Sequence, residues 1–283
     1  DDVVEIHHDR IRETAIRDIA SERLPGIHLA LGRALAASGN ADEVVLSHHF
    51  RQAGEDLLAT AHTLAAADQA AEALAFDRAA QLYEAVLELG ASSPEEAAGV
   101  QARLGDALAN AGRLHDSAQA YLRAAEHAPP DEATEWLRRA AEHLLSSGHG
   151  EEGRSVLRRV LARVGLALPK STARALASLL RHRAALAMRG LRHREVDANA
   201  IPREVLQQLD VCWTAARGLI YTDGLAGADF HARHLRLALD SGDPARIARA
   251  LGCEAHLMLA LSADQKLERA RTLLERAGEL AER

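Results

Sequence analysis

The sequence predicts an all-α protein, an α-α superhelix in which helical hairpins stack as a solenoid. Three observations carry that reading. First, a small residue is followed four positions on by Leu or Tyr, and three further by a small or branched residue, at Ala79, Tyr83 and Val86; at Ser117, Tyr121 and Ala124; and at Gly153, Leu157 and Val160. The copies lie 38 and 36 residues apart, and steps of four and three keep each copy on one helical face. A repeat of this length holds two helices and two turns, and such a unit buries its apolar face only by stacking on a neighbour. Second, the chain is 48% hydrophobic but only 3% aromatic, so Ala and Leu, both helix formers, supply the core. Third, Gly112 and Gly148 mark turns inside hairpins, while Pro94, Pro129, Pro130 and Pro169 fall between them.

Residues 1–54 differ from the rest. Val3 to His7 has the only strand-like composition, and Ile11, Ala15, Ile16 and Ile19 share one face of a helix. Pro25 interrupts; a second helix runs from Ile27 through Leu35 and ends at Ser38-Gly39-Asn40, and a third covers Glu43 to Gln52. Hairpins fill residues 55–168: Leu57 to Ala75 with Phe76 to Leu89, Pro94 to Ala111 with Leu114 to His127, and Asp131 to Ser146 with Gly150 to Val164. Residues 169–283 read as degenerate hairpins, basic at their start. Trp213, Gly224 and Asp243-Pro244 mark one unit, and Ala270, Leu274 and Ala277 the second helix of a terminal one.

The middle hairpin carries Leu104-Gly105, Leu108, Gly112, Ser117, Tyr121, Ala124 and Pro129, a spacing that resembles the tetratricopeptide repeat (TPR). Ser117 stands where that family usually has Ala, and Gln101 where it often has Trp. The string His8-Asp9-Arg10-Ile11-Arg12-Glu13, followed by this array, resembles the region after the ATPase module of bacterial STAND signalling proteins, where a winged-helix element leads into a TPR superhelix. Leu191-Arg192-His193-Arg194-Glu195, Leu209-Asp210-Val211-Cys212-Trp213 and the run from Gly227 to Leu235 are similar to the tails of multidomain bacterial Ser/Thr protein kinases. The resemblance implies that residues 1–54 are the remnant of a winged-helix-like module and that the chain is a regulatory region. No phosphate loop, His-Arg-Asp loop or Asp-Phe-Gly occurs in it.

The net charge of −7 argues against a generic nucleic-acid binder. Asp1, Asp2, Glu5, Asp9, Glu13 and Asp18 argue against DNA binding through the N-terminal element. The average hides segregation. Arg154, Arg158, Arg159, Arg163, Lys170, Arg174, Arg181, Arg183, Arg189, Arg192 and Arg194 fall in one stretch without a single Asp or Glu. Leu176, Leu179, Leu180, Leu186 and Leu191 interleave with them as an amphipathic basic helix. Such a helix docks on an acidic partner, on an anionic membrane or on phosphates, or it pairs with acidic helices of the same chain, such as those bearing Glu72, Glu84 and Glu88.

Cys212 and Cys253 sit in apolar helices as small hydrophobes and suit a reducing cytoplasm. His7-His8-Asp9 and His48-His49 are the densest histidine groups, but adjacent residues point to different sides, so no metal site is expected. No Gly-x-Ser-x-Gly elbow occurs. The expected function is a non-catalytic interaction or regulatory module without a cofactor. It would bind a protein or peptide, including kinase or ATPase domains of the same parent chain; neither nucleic acid nor membrane contact is expected. Candidate binding residues are Gln101, Asn110, Glu135, Arg138 and Arg139 on first helices, and Arg181, Arg183 and Arg189 on the basic segment. The alternative is a small-molecule-binding or enzymatic domain, whose mark would be a deep pocket with convergent polar groups and perturbed titration.

Overall fold

The computed structural model describes residues 17, 19–90, 93–220, 222–261 and 267–282. No strand occurs among them; the strand-like Val3 to His7 and the helix of Ile11, Ala15 and Ile16 lie outside the described residues. The chain forms two compact units, Asp1–His127 and Ala128–Arg283, and the boundary coincides with Pro129-Pro130.

In the first unit the helices are α1 (Leu24–Ser38), α2 (Glu43–Gln52), α3 (Asp56–Glu72), α4 (Phe76–Leu89), α5 (Pro94–Asn110) and α6 (Leu114–His127), and each packs on the next. Pro25 does not interrupt a helix. It sits in the first turn of α1, where a missing N–H costs nothing and the fixed φ suits helix entry. Asp42 caps α2 by accepting from the Val44 amide at 2.7 Å, and Ser93 caps α5 by accepting from Glu96 at 3.1 Å. Helices α1 and α2 join the stack: Leu46 and Phe50 bury against Ala59 of α3, with Leu29 and Leu35 beside them.

The 38- and 36-residue period is written into the backbone. After α3, α5 and α7 (Pro130–Ser146), the amides of Ala75, Arg113 and His149 donate to the carbonyls of Ala70, Leu108 and Leu144 at 2.8–2.9 Å. This six-to-one bond closes each helix and requires a left-handed residue one position earlier. Gly112 (φ 80°) and Gly148 (φ 86°) supply it in two copies, but Leu74 (φ 60°) stands there in the first. The side chains repeat as well. Tyr83 donates its hydroxyl to Asp68 and Tyr121 donates its own to Asp106, both at 2.7 Å. Both rings are buried, and Gly105 lets α5 approach α6, since a Cβ there would lie 2.8 Å from the Tyr121 ring.

The second unit contains α7, α8 (Gly150–Arg163), α9 (Thr172–Arg189), α10 (Arg203–Leu219), α11 (Gly224–Ser241), α12 (Pro244–Leu261) and α13 (Leu267–Ala281). Hairpins α7/α8, α10/α11 and α12/α13 form, and α10 stacks on α7. The basic helix α9 falls outside this ladder and packs on α11 instead. Its inner residues Leu186 and Leu179 join a core with Leu235, Leu239, Ile247 and Leu251. In α13, Ala270 and Ala277 are buried as the spacing predicts, but Leu273 takes the core position and Leu274 faces outward.

Gly105→Ala is expected to lower unfolding free energy by about 1–2 kcal/mol, the ring contact outweighing the gain in helix propensity. Leu74→Gly is expected to raise it by about 0.5–1 kcal/mol, because an L-residue in the left-handed region costs more than glycine's added chain entropy. Urea unfolding of both variants against the parent chain measures the two shifts and their opposite signs.

Candidate functional site

The second unit carries an open cavity of about 890 Å³ whose walls come from five helices. Helix α7 contributes Glu142 and Leu145, α10 contributes Trp213, Ala216 and Arg217, α11 contributes Ala228 and His231, α12 contributes Cys253 and His256, and α9 closes it with Arg183. The turn joining α10 to α11 can be tight because Gly227 has no Cβ; one there would meet the Ile220 backbone at 2.9 Å. A smaller cavity of about 490 Å³, lined by Leu179, Leu186, Leu235, Met258 and Leu273, shares Arg183, Ala228 and Leu257 with the larger one.

One rim is held by a charge network. Arg138 donates to Glu135, to Glu142 and to the Thr214 hydroxyl, all at 2.8–2.9 Å, tying α7 to α10. Arg139 donates to Glu135 at 2.8 Å and lies over the Trp136 ring. Burial alone would raise the Glu135 carboxyl, but hydrogen bonds from Arg138 and Arg139 outweigh it and hold its pKa below the usual range. Trp213 stands between two guanidiniums, Arg217 at 5.6 Å and Arg249 at 5.4 Å from its ring. Both guanidiniums reach a carboxylate only loosely, Glu142 at 3.7 Å and Asp210 at 3.9 Å.

At the junction of α9, α11 and α12, Glu254 accepts from Arg183 on Oε1 at 2.6 Å and meets His231 Nε2 on Oε2 at 2.9 Å. Burial pushes the Glu254 pKa up, yet His231 and Arg183 outweigh it and bring it to about 2. His231 is 1% exposed. Burial pulls its pKa down, while Cys253 and Glu254 beside it reverse the sign and raise it. His234, fully buried one turn on, has no partner at either ring nitrogen, and burial with the charge of His231 lowers it to about 3. Cys212 is also fully buried, and burial pushes its thiol up to about 12.

The predicted binding residues separate. Gln101 and Asn110 belong to α5 in the first unit, where Gln101 accepts from Arg123 at 3.2 Å. Glu135, Arg138 and Arg139 form the network on α7. Of the basic trio, Arg183 bonds Glu254, and Arg189 pairs with Asp240 and donates to the Arg192 carbonyl at 3.0 Å. Arg181 is exposed, on the side of α9 that also bears Leu180 and Met188. Acids met by the basic stretch include Asp223 (with Arg154), Glu254 (with Arg183) and Asp240 (with Arg189), all within the second unit. Sequence reasoning read Trp213 as a repeat marker and Cys253 as a small hydrophobe, and did not single out His231 or Glu254 as site residues. The signal available was a charged residue inside the apolar run of α12. His48 and His49 meet a third histidine, His28, whose Nδ1 lies 3.0 Å from that of His49. No group of three or more His, Cys, Asp or Glu among the described residues is arranged to hold a metal ion. No helix among those residues is long and apolar enough to cross a membrane.

No family model matches the chain, and no curated protein matches it. The chain is similar to a solved structure described as the crystal structure of BtubC (BKLC) from P. vanneervenii, at 15% identity and a TM-score of 0.47 over 94% of this chain and 92% of that one. Similarity at that level carries no inference about function.

The neutral, buried His234 sets a pH dependence. Its folded pKa lies below the ordinary value, so its contribution is complete above about pH 6.5 and is lost as pH falls toward about 3. Through this residue, unfolding free energy is expected to drop as pH falls from about 6.5 to 5, the slope steepening toward about 1.4 kcal/mol per pH unit. His234→Leu is expected to remove that share of the slope, read from urea unfolding at both pH values.

Proposed function

We propose that the protein is a non-catalytic interaction module of stacked TPR-like hairpins, serving a bacterial signalling ATPase or kinase as sensor or scaffold. Its partner enters the cavity of the second unit. The observation that carries this reading is the pairing of a large, mainly apolar cavity with Trp213 between two loosely engaged guanidiniums, Arg217 and Arg249. A half-buried aromatic ring flanked by arginines is the kind of composition enriched in protein-recognition hot spots. Guanidiniums that do not hold their own carboxylates tightly can exchange them for those of a ligand. The partner is therefore a peptide segment, from another protein or from the effector domain of the same parent chain, that places an apolar side chain next to an acidic one.

A small-molecule occupant is the second reading. The feature favouring it is the convergence of His231 and Arg183 on this cavity, joined through Glu254 on the wall of the adjoining smaller one, with the His231 pKa raised and that of Glu254 lowered.

Fluorescence-labelled peptides of mixed acidic and apolar sequence, screened by polarisation, test the first reading. Peptides that bind are expected to lose at least about 30-fold in affinity on Trp213→Ala, the scale of a hot-spot truncation. They are expected to lose at least about tenfold on Arg217→Glu with Arg249→Glu. Binding that survives Trp213→Ala unchanged, or that fails only when Arg181 is reversed, contradicts the cavity as the peptide site.

A further inference from the structure

Helix α9 has two unlike faces. Ala175, His182 and Leu186 are buried against the unit, and Arg183 and Arg189 reach acids on α12 and α11. The other side faces solvent and is apolar. Leu176 is 47% exposed, Leu180 59% and Met188 84%. At about 100° per residue these three fall within one sector of about 120°, and the helix positions between them in that sector are all alanine. Arg181 and Arg174, both exposed, continue the sector along one edge. Lys170 precedes the helix and Arg192 and Arg194 follow it, all three exposed. None of these five cations pairs with a carboxylate among the described residues, in contrast to Arg154, Arg183 and Arg189. Residues 154–194 contain no Asp or Glu that could answer them. The net charge of −7 does not oppose an anionic partner here, because acids outnumber cations only in residues 1–127.

We propose that the outer face of α9 docks on an anionic phospholipid bilayer, with the helix lying flat in the headgroup region. Leu176, Leu180 and Met188 enter the acyl boundary, as the apolar face of an interfacial helix does. Arg174 and Arg181, with Lys170, Arg192 and Arg194, meet lipid phosphates, their stems lying along the apolar edge. Charge complementarity selects this occupant. A second copy of the same face would set Arg174 and Arg181 against like charges, with no acid on α9 to answer them. A single partner helix covers a two-row seam and leaves part of the sector wet. A flat anionic surface takes the whole sector and the flanking cations together. The helix lies on the surface and does not cross it, in keeping with the apolar length of the described helices. The expectation of no membrane contact gives way to this exposed sector, which a charge count does not reveal. The surface is separate from peptide recognition and does not involve Trp213.

The test is co-sedimentation of the full chain with vesicles of phosphatidylcholine, alone or mixed equally with phosphatidylglycerol, at about 0.1 M salt. Partitioning is expected to be at least about tenfold stronger onto the anionic vesicles. Leu176→Ser with Leu180→Ser is expected to weaken it at least about tenfold, and Arg174→Glu with Arg181→Glu by at least as much. All four side chains are exposed, so both variants are expected to unfold in urea as the parent chain does. Failure of the parent chain to bind anionic vesicles overturns the proposal without recourse to any variant. So does equal binding to the two vesicle types, or binding that the leucine pair leaves unchanged, which reduces the contact to diffuse charge attraction. Vesicles ignored while an acidic, apolar peptide binds and is lost with the leucine pair would make this face a protein-docking site and the bilayer the wrong occupant. Trp213→Ala is expected to leave vesicle binding unchanged, which keeps this outcome distinct from that of the cavity; loss of binding there would place the lipid in the cavity and overturn the assignment to α9.

Discussion

Helix α9 has no place in the ladder that holds its neighbours. The hairpins on either side of it close on one another, α10 stacking on α7, so α9 must be fastened by something other than repeat-to-repeat contact. Part of the fastening is apolar, through Leu179 and Leu186. The directional part is charged: Arg183 to Glu254 of α12, Arg189 to Asp240 of α11, and Ser178 accepting from Arg233 of α11 at 2.8 Å. The first of these is the most constrained. Glu254 is largely buried, and both its oxygens are taken, one by Arg183 and one by His231. Removing one partner from such a group leaves a desolvated charge, which costs far more than losing an exposed ion pair. The same contact brings Arg183 to the cavity wall and fixes the carboxylate that meets His231.

This arrangement explains why a segment that looks like a basic docking patch commits three of its cations, Arg154, Arg183 and Arg189, to acids inside its own unit. Arginine tolerates such service because its planar fork can hold a carboxylate and a carbonyl together, as Arg189 does with Asp240 and the carbonyls of Arg192 and Leu239. The basic stretch and the acids that meet it are far apart in sequence, so the local charge count alone does not reveal the pairing.

Much of the architecture was legible in the sequence because repetition makes local signals reinforce one another. The turn glycines, the Tyr83 and Tyr121 positions and the period all reappear in three dimensions, down to matching hydroxyl-to-Asp bonds 38 residues apart. Where a signal was local but ambiguous, the reading slipped. Pro25 opens a helix rather than ending one, and Leu274 lost its core position to Leu273 because an error of one residue in helix phase rotates a side chain by about 100°. The site was legible only in part. Arg138 and Arg183 were found by type, but their roles come from partners on other helices. His231 and Glu254 are 23 residues apart on two helices, and no motif spacing announces a pair made by packing. A carboxylate and a histidine inside otherwise apolar helical faces were the only trace.

The central claim is that charge at Glu254, rather than repeat stacking, holds α9 as a wall of the cavity. Amide hydrogen exchange of the parent chain and Arg183→Gln, followed peptide by peptide, addresses it directly. Residues 172–189 are expected to lose at least about tenfold protection in the variant while α7 and α8 keep theirs, since local opening is governed by the contacts of that segment. Unchanged protection of residues 172–189, or a uniform loss across the second unit, would contradict it.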